Sequence, residues 1–240
     1  MKNVTFCIIG LLSLNALAQQ AQSDFNSMVE AEMKAGYNLM NFTANENTAN
    51  YDVTHQTLEL EADPAEQYIS GSITTTFTAL ENMGSITFDM SNNLDVTSVT
   101  KNGVNLTYTQ NNNDELVITL PTTQSTGTSA TITVNYSGAP WDEEDSFVSS
   151  EHNGTPIIWT LSEPYGAKEW WPCKQDLNDK IDSIDVYITA PSEYTSVSNG
   201  LELSQQENQD GTITTHFQHN YPIPAYLVAI AITNYTIYTQ

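Results

Sequence analysis

Ile69-Ser70-Gly71-Ser72-Ile73-Thr74-Thr75-Thr76-Phe77-Thr78-Ala79 alternates residue by residue: Ile69, Gly71, Ile73, Thr75, Phe77 and Ala79 share one side, Ser and Thr fill the other. Period two marks a strand with one buried face, because successive side chains leave an extended backbone on opposite sides. The same period recurs at Ile86, Phe88 and Met90, at Leu116, Ile118 and Leu120, and at Ile132, Val134 and Tyr136. Turn residues separate these runs at Asp63-Pro64, Asn82-Met83-Gly84, Asn102-Gly103, Asn111 to Asp114 and Ser137 to Pro140. Asn102-Gly103, between Val99 and Val104, is the strongest hairpin signal, since a two-residue turn needs positive φ that Asn and Gly tolerate. Further strands are expected over 157–161, 183–189, 211–218 and 226–238, while Pro140 to Pro156 departs from the β pattern. With no helical period between the strands, residues 51–240 are expected to form an all-β domain, a layered antiparallel sheet or β-sandwich.

Ahead of that domain, Met1-Lys2-Asn3, an apolar run from Val4 to Leu17 and Ala16-Leu17-Ala18 read as a signal peptide over residues 1–18. Residues 19–50 read as a short helical N-terminal extension and linker. Phe25, Met28, Val29 and Met33 share a helical face, Ser23 or Asp24 supplies the N-cap, and Asn41 to Asn50 is polar linker. No later run approaches the roughly 20 apolar residues of a membrane span, so the expected location is secreted or periplasmic, with no membrane partner. Removal of the leader takes Cys7 with it and leaves Cys173 as the sole thiol, so no intrachain disulfide is expected. Six Lys+Arg against 29 Asp+Glu give a formal charge of −23, which argues against nucleic acid as a partner.

The chemistry concentrates in Thr160-Leu161-Ser162-Glu163-Pro164-Tyr165-Gly166-Ala167-Lys168-Glu169-Trp170-Trp171-Pro172-Cys173. A carboxylate, a Gly turn, adjacent tryptophans and that one thiol in a single loop are not needed by a plain β-domain. The segment resembles the substrate loop of the aminopeptidase N family of zinc metallo-aminopeptidases, which reads Thr-Gln-x-Glu-Pro, then Ala-Arg, then Phe-Pro-Cys-Phe-Asp-Glu-Pro. Tyr51-Asp52-Val53-Thr54-His55 with Leu58-Glu59-Leu60 is similar to that family's opening strand. Ile69-Ser70-Gly71-Ser72-Ile73 is similar to its second strand, and Pro222-Ile223-Pro224-Ala225-Tyr226-Leu227 to its closing one. The resemblance implies a saddle-like N-terminal β domain in which Glu163 grips the α-amine of a peptide. Tyr165, Gly166, Trp170 and Trp171 then lie on the same substrate loop. Adjacent residues of an extended chain point opposite ways, so at most one tryptophan faces substrate, and packing is the favoured role for both. Two departures stand out: Lys168 replaces the family's Arg, and Lys174-Gln175-Asp176-Leu177 replaces Phe-Asp-Glu-Pro.

The family's hydrolysis uses zinc held by His-Glu-x-x-His on a helix, where the paired imidazoles face one metal and the Glu activates water. This chain has four histidines, His55, His152, His216 and His219, and no such motif. His216 and His219 stand i, i+3 on an expected strand, which turns their rings to opposite faces. The expectation is therefore an N-terminal domain that binds no metal, belonging to an enzyme whose zinc domain is absent from this chain. The acidic run Trp141 to Asp145 lacks Ca²⁺-loop spacing and reads as solvated. Two other readings compete. One is a secreted, non-catalytic β-sandwich that binds carbohydrate or protein with the tryptophans as a stacking platform. The other is a stand-alone paralogue that captures peptide amino termini.

Overall fold

The computed structural model describes residues 45–140 and 146–238, together with Met33. The leader, the amphipathic helix of the extension and the acidic run at 141–145 lie outside the described residues. Contacts divide the chain into a unit over Met1–Thr43 and a unit over Ala44–Gln240, and the second carries the β domain. Its strands are β1 (Tyr51–Glu61), β2 (Ile69–Ala79), β3 (Met83–Asp89), β4 (Leu94–Lys101) and β5 (Val104–Asn105). They continue as β6 (Tyr108–Asn111), β7 (Glu115–Gln124), β8 (Ser129–Gly138), β9 (Phe147–His152) and β10 (Thr155–Thr160). The last are β11 (Ser183–Pro191), β12 (Thr195–Ser198), β13 (Leu201–Glu207), β14 (Thr212–His219) and β15 (Ile230–Thr233).

Three sheets share one core. The largest has the order β13-β14-β11-β1-β2-β8-β4-β5, a second β12-β15-β10-β9, and a third β3-β7-β6. The alternation read at 69–79 is the burial pattern of β2, with Ile69, Ile73 and Phe77 at 0–1% exposure facing the core. Gly71 belongs to that row for a packing reason. A Cβ there would lie 2.8 Å from the ring of Tyr136 on the paired strand β8. The Asn102-Gly103 hairpin forms as expected, with φ of 53° and 74° joining β4 to β5.

Five expectations change. The pair β1–β11 is parallel, unlike every other pairing among the described strands, so the large sheet is mixed rather than wholly antiparallel. β3 is buried at Ile86, Thr87, Phe88 and Asp89, so the expected one-sided alternation gives way to burial on both faces. The segment from Pro140 to Pro156 contains β9 and a second Asn-Gly hairpin, Asn153-Gly154 with φ of 52° and 78°, leading into β10. The long strand at 226–238 reduces to β15, because Pro224 opens a 3-10 turn over Ala225–Leu227. Residues 45–50, read as linker, fold onto the domain: Thr48 is buried, and Asn45 and Asn47 donate to Asp89 and Glu115 at 2.8 Å each.

Candidate functional site

The loop after β10 is tied down before it turns. Thr160 Oγ1 accepts the Ile230 N–H at 3.0 Å, and the Leu161 N–H donates to Ser146 O at 3.1 Å. Ser162 is buried; Glu163, joined to Pro164 by a cis peptide bond, is exposed. The chain then folds back, with the Gly166 N–H donating to Ser162 O at 2.9 Å. Gly166 is glycine because a Cβ there would sit 1.8 Å from Ser146 Oγ. It is buried in this chain.

Both tryptophans turn inward. Trp170 and Trp171 are 0% exposed, their rings 5.8 Å apart and tilted by 50°. Trp170 Nε1 donates to Ser162 Oγ at 2.9 Å, and the Tyr136 hydroxyl donates to Trp170 O at 2.8 Å. Trp170 thus joins β8 of the large sheet to the loop that leaves the four-stranded sheet. Packing rather than a pocket wall is the role this chain gives both, and the reason is physical. Two indoles supply apolar area that this loop needs as its own core, and a buried Trp N–H seeks the partner Ser162 provides. Of the five expected residues, only Glu163 and the half-buried Tyr165 reach the surface of this chain.

The far end of the loop is held by charged groups, of which the sequence pattern singled out the lysines but not Asp89 or Glu115. Asp89 and Cys173 exchange backbone hydrogen bonds of 2.8 and 3.0 Å, and the Asp89 carboxylate accepts the Gln175 N–H at 2.8 Å. Burial pushes the Asp89 carboxyl up, against the hydrogen bonds from Asn45 and Gln175 and the nearby Lys168 charge. At neighbouring Glu115, burial raises the carboxyl, but hydrogen bonds from Asn111, Asn47 and Asn45 outweigh it and bring the group below its ordinary range. Lys168, where the resembled pattern has Arg, pairs with Asp114 at 2.8 Å, and its backbone N–H donates to Gln175 Oε1 at 3.1 Å. Burial lowers the Lys168 ammonium, but Asp114 more than compensates.

Lys174 is the larger surprise, because it occupies the family's Phe position and is buried. Its ammonium donates to Tyr51 O at 2.6 Å and to Asp179 at 2.5 Å, and it lies 4.7 Å from the centre of the Tyr51 ring. Asp179 in turn accepts the Val53 N–H, which fastens the loop to β1. A buried charge survives only when paired and hydrogen-bonded, and this one is both. Cys173 is fully buried, and burial pushes its thiol up, so it packs rather than reacts. Pro164 and Leu177 line one shallow depression with Ala225 and Tyr226, so the loop and the Pro222–Leu227 segment meet beside Glu163.

The histidines do other work. His216 Nε2 is 2.6 Å from Asp185, and its ring stacks on Tyr187 with centroids 4.0 Å apart. His55 Nε2 lies 3.5 Å from the same carboxylate, and His219 packs edge-on against Tyr221. Among the described residues no group of three or more His, Cys, Asp or Glu is arranged to hold a metal ion. The described residues therefore offer no set of ligands that fits zinc.

A model of the peptidase M1 N-terminal domain matches residues 47–227. The M1 zinc metallopeptidase of Deinococcus radiodurans superposes with a TM-score of 0.69 at 26% identity, covering 77% of this chain and 42% of that one. A two-domain M1 zinc metallopeptidase bound to L-tryptophan gives a TM-score of 0.70 at 25% identity, over 79% of this chain and 43% of that one. Leucine aminopeptidase 2 of Vanderwaltozyma polyspora is 28% identical over 123 residues, which is 49% of this chain and 18% of that protein. The chain therefore spans less than half the length of these relatives.

Proposed function

The chain belongs to the peptidase M1 N-terminal domain family, and from that premise we propose that it anchors peptide amino termini for a secreted zinc aminopeptidase. The carrying observation is the contrast within one loop: Glu163 is exposed, while Ser162, Gly166, Ala167, Trp170 and Trp171 around it are buried. A carboxylate on a rigid support meets its ligand without losing much conformational freedom. It accepts charge-assisted hydrogen bonds from an α-ammonium, and the neutral amide of an interior peptide bond offers no comparable partner. That difference favours exopeptidase over endopeptidase action. On this reading the zinc and its ligands are supplied from outside residues 1–240, whose sequence has no His-Glu-x-x-His. Export follows from the leader read at residues 1–18.

The test is Glu163→Gln in the full-length protein, assayed on an aminoacyl anilide. Loss of a charged hydrogen bond is expected to lower kcat/KM by about 10- to 150-fold, equivalent to about 1.5–3 kcal/mol. Unchanged kcat/KM with free-amine substrates sinks the reading. The 240-residue chain alone is expected to hydrolyse nothing and to bind no stoichiometric zinc; one tightly held zinc per chain by metal analysis overturns that. The carbohydrate-binding alternative loses its stacking platform, because Trp170 and Trp171 are both core.

A further inference from the structure

The outer face of the eight-stranded sheet gathers a serine, two histidines and an aspartate away from the Glu163 loop. β1 and β11 run parallel with His55 opposite Ser183, and Asp185 stands two residues further along β11 on the same face. Ile184, between them in sequence, is 0% exposed and faces the core. Ser183 Oγ lies 2.8 Å from His55 Nδ1. The other ring nitrogen, Nε2, is 3.3 Å from Thr57 Oγ1 and 3.5 Å from Asp185 Oδ2. The second carboxylate oxygen, Oδ1, is held by His216 Nε2 at 2.6 Å and by Gln218 Nε2 at 3.1 Å. His216 is clamped in turn by its stack on Tyr187. Asp185 is thus fixed from one side and turns its other oxygen toward His55.

A carboxylate only accepts hydrogen bonds, so the proton of the neutral His55 ring belongs on Nε2, beside Asp185. Nδ1 is then an acceptor, and the Ser183 hydroxyl donates to it. A nucleophile bonded to a base that a third group orients is the arrangement of an activated serine. Ser183 and His55 are half-buried, so a small reagent reaches them from solvent. We infer that Ser183 is an acyl-acceptor site. Its Oγ bonds to the carbonyl carbon of an activated acyl donor while its proton passes to His55 Nδ1. The bond from that carbon to the leaving group breaks, the leaving group takes the proton from His55, and the acyl group stays as a serine ester. General-base help alone suffices only where the leaving group is already good, so the donors are thioesters and activated esters, not peptides. Asp185 is a positioning residue that acts through His55. The inference does not depend on the reading of Glu163.

The test treats the full-length protein with p-nitrophenyl acetate and follows acetylation of each serine by tandem mass spectrometry. Ser183 should be acetylated at least about 100-fold faster than the exposed Ser204 of β13. His55→Gln should bring Ser183 down to the rate of Ser204, and Asp185→Asn should slow it without abolishing it. Glu163→Gln should leave the rate unchanged. Because Ser183 and Ser204 are compared within the wild-type protein, the result stands even if a variant folds poorly. Acetylation of Ser183 no faster than of Ser204, or undiminished in His55→Gln, overturns the site. Loss of the reaction in Glu163→Gln overturns it too, by tying the chemistry to the other loop.

Discussion

The outer faces of the two larger sheets are finished in opposite ways. On the eight-stranded sheet the outward hydroxyls pair with one another across strands: Thr74 with Thr133 at 2.9 Å, Thr76 with Thr131 at 3.0 Å, and Thr189 with Thr214 at 2.8 Å. Asp185 is met by His216 and Gln218 on the same face. On the four-stranded sheet the corresponding outward line is Val148, Trp159, Ala231 and Val197. A face whose polar groups satisfy each other laterally is complete in water. An apolar line gains only when something covers it. The difference teaches which face is complete in water and which still presents apolar surface.

The strongest blow to this contrast is struck where the two sheets meet. Trp170→Ala removes the side chain that ties Ser162 to the backbone reached by Tyr136. It should cost about 3–5 kcal/mol in urea unfolding of the chain. A loss below about 1 kcal/mol would mean that the sheets are not coupled through this residue. Lys174→Ala leaves Asp179 buried without its cation and should cost a comparable, slightly smaller amount, about 3 kcal/mol. Replacing both partners, Lys174→Met with Asp179→Leu, should recover much of that loss in the same assay.

Exchanging the character of the faces should barely change stability but should move surface behaviour. Val197→Asp on the isolated chain is expected to shift unfolding by no more than about 0.5 kcal/mol while lowering the fluorescence of an apolar dye. Converting Thr74, Thr76, Thr131 and Thr133 together to Val should raise that fluorescence and promote association. Equal dye binding by the two variants would dissolve the distinction. The smallest effects are electrostatic and opposite in sign. Asp89 is held above its ordinary value of 3.8, so its contribution is complete at lower pH and is lost as pH climbs through the folded value. The advantage of wild type over Asp89→Asn should therefore shrink as pH rises from about 4 toward neutrality. Glu115 is held below its ordinary 4.5, so wild type should lose its advantage over Glu115→Gln as pH falls beneath that value. Chemical denaturation at several pH values reads both slopes.

By itself the sequence determined the all-β class, most of the core and the loop that matters. Alternation is a local property, and Ile69 to Ala79, Leu116 to Leu120 and Ile132 to Tyr136 bury the residues their period selects. Turn chemistry is equally local: Asn102-Gly103 was legible, and Asn153-Gly154 carried the same signal inside a stretch whose acidity hid it. Glu163 and its neighbours came from a motif. What a motif cannot say is which way each side chain turns, because that depends on partners distant in sequence. Only the tertiary structure decided that Trp170 and Trp171 face inward, that Gly166 yields its space to Ser146, and that β1 lies parallel to β11. It alone brought Lys174 to Asp179 and Tyr51, and Asp89 to Cys173, Asn45 and Gln175. The apolar row of the four-stranded sheet belongs to the same class of fact, for its members come from four strands and align only through their register.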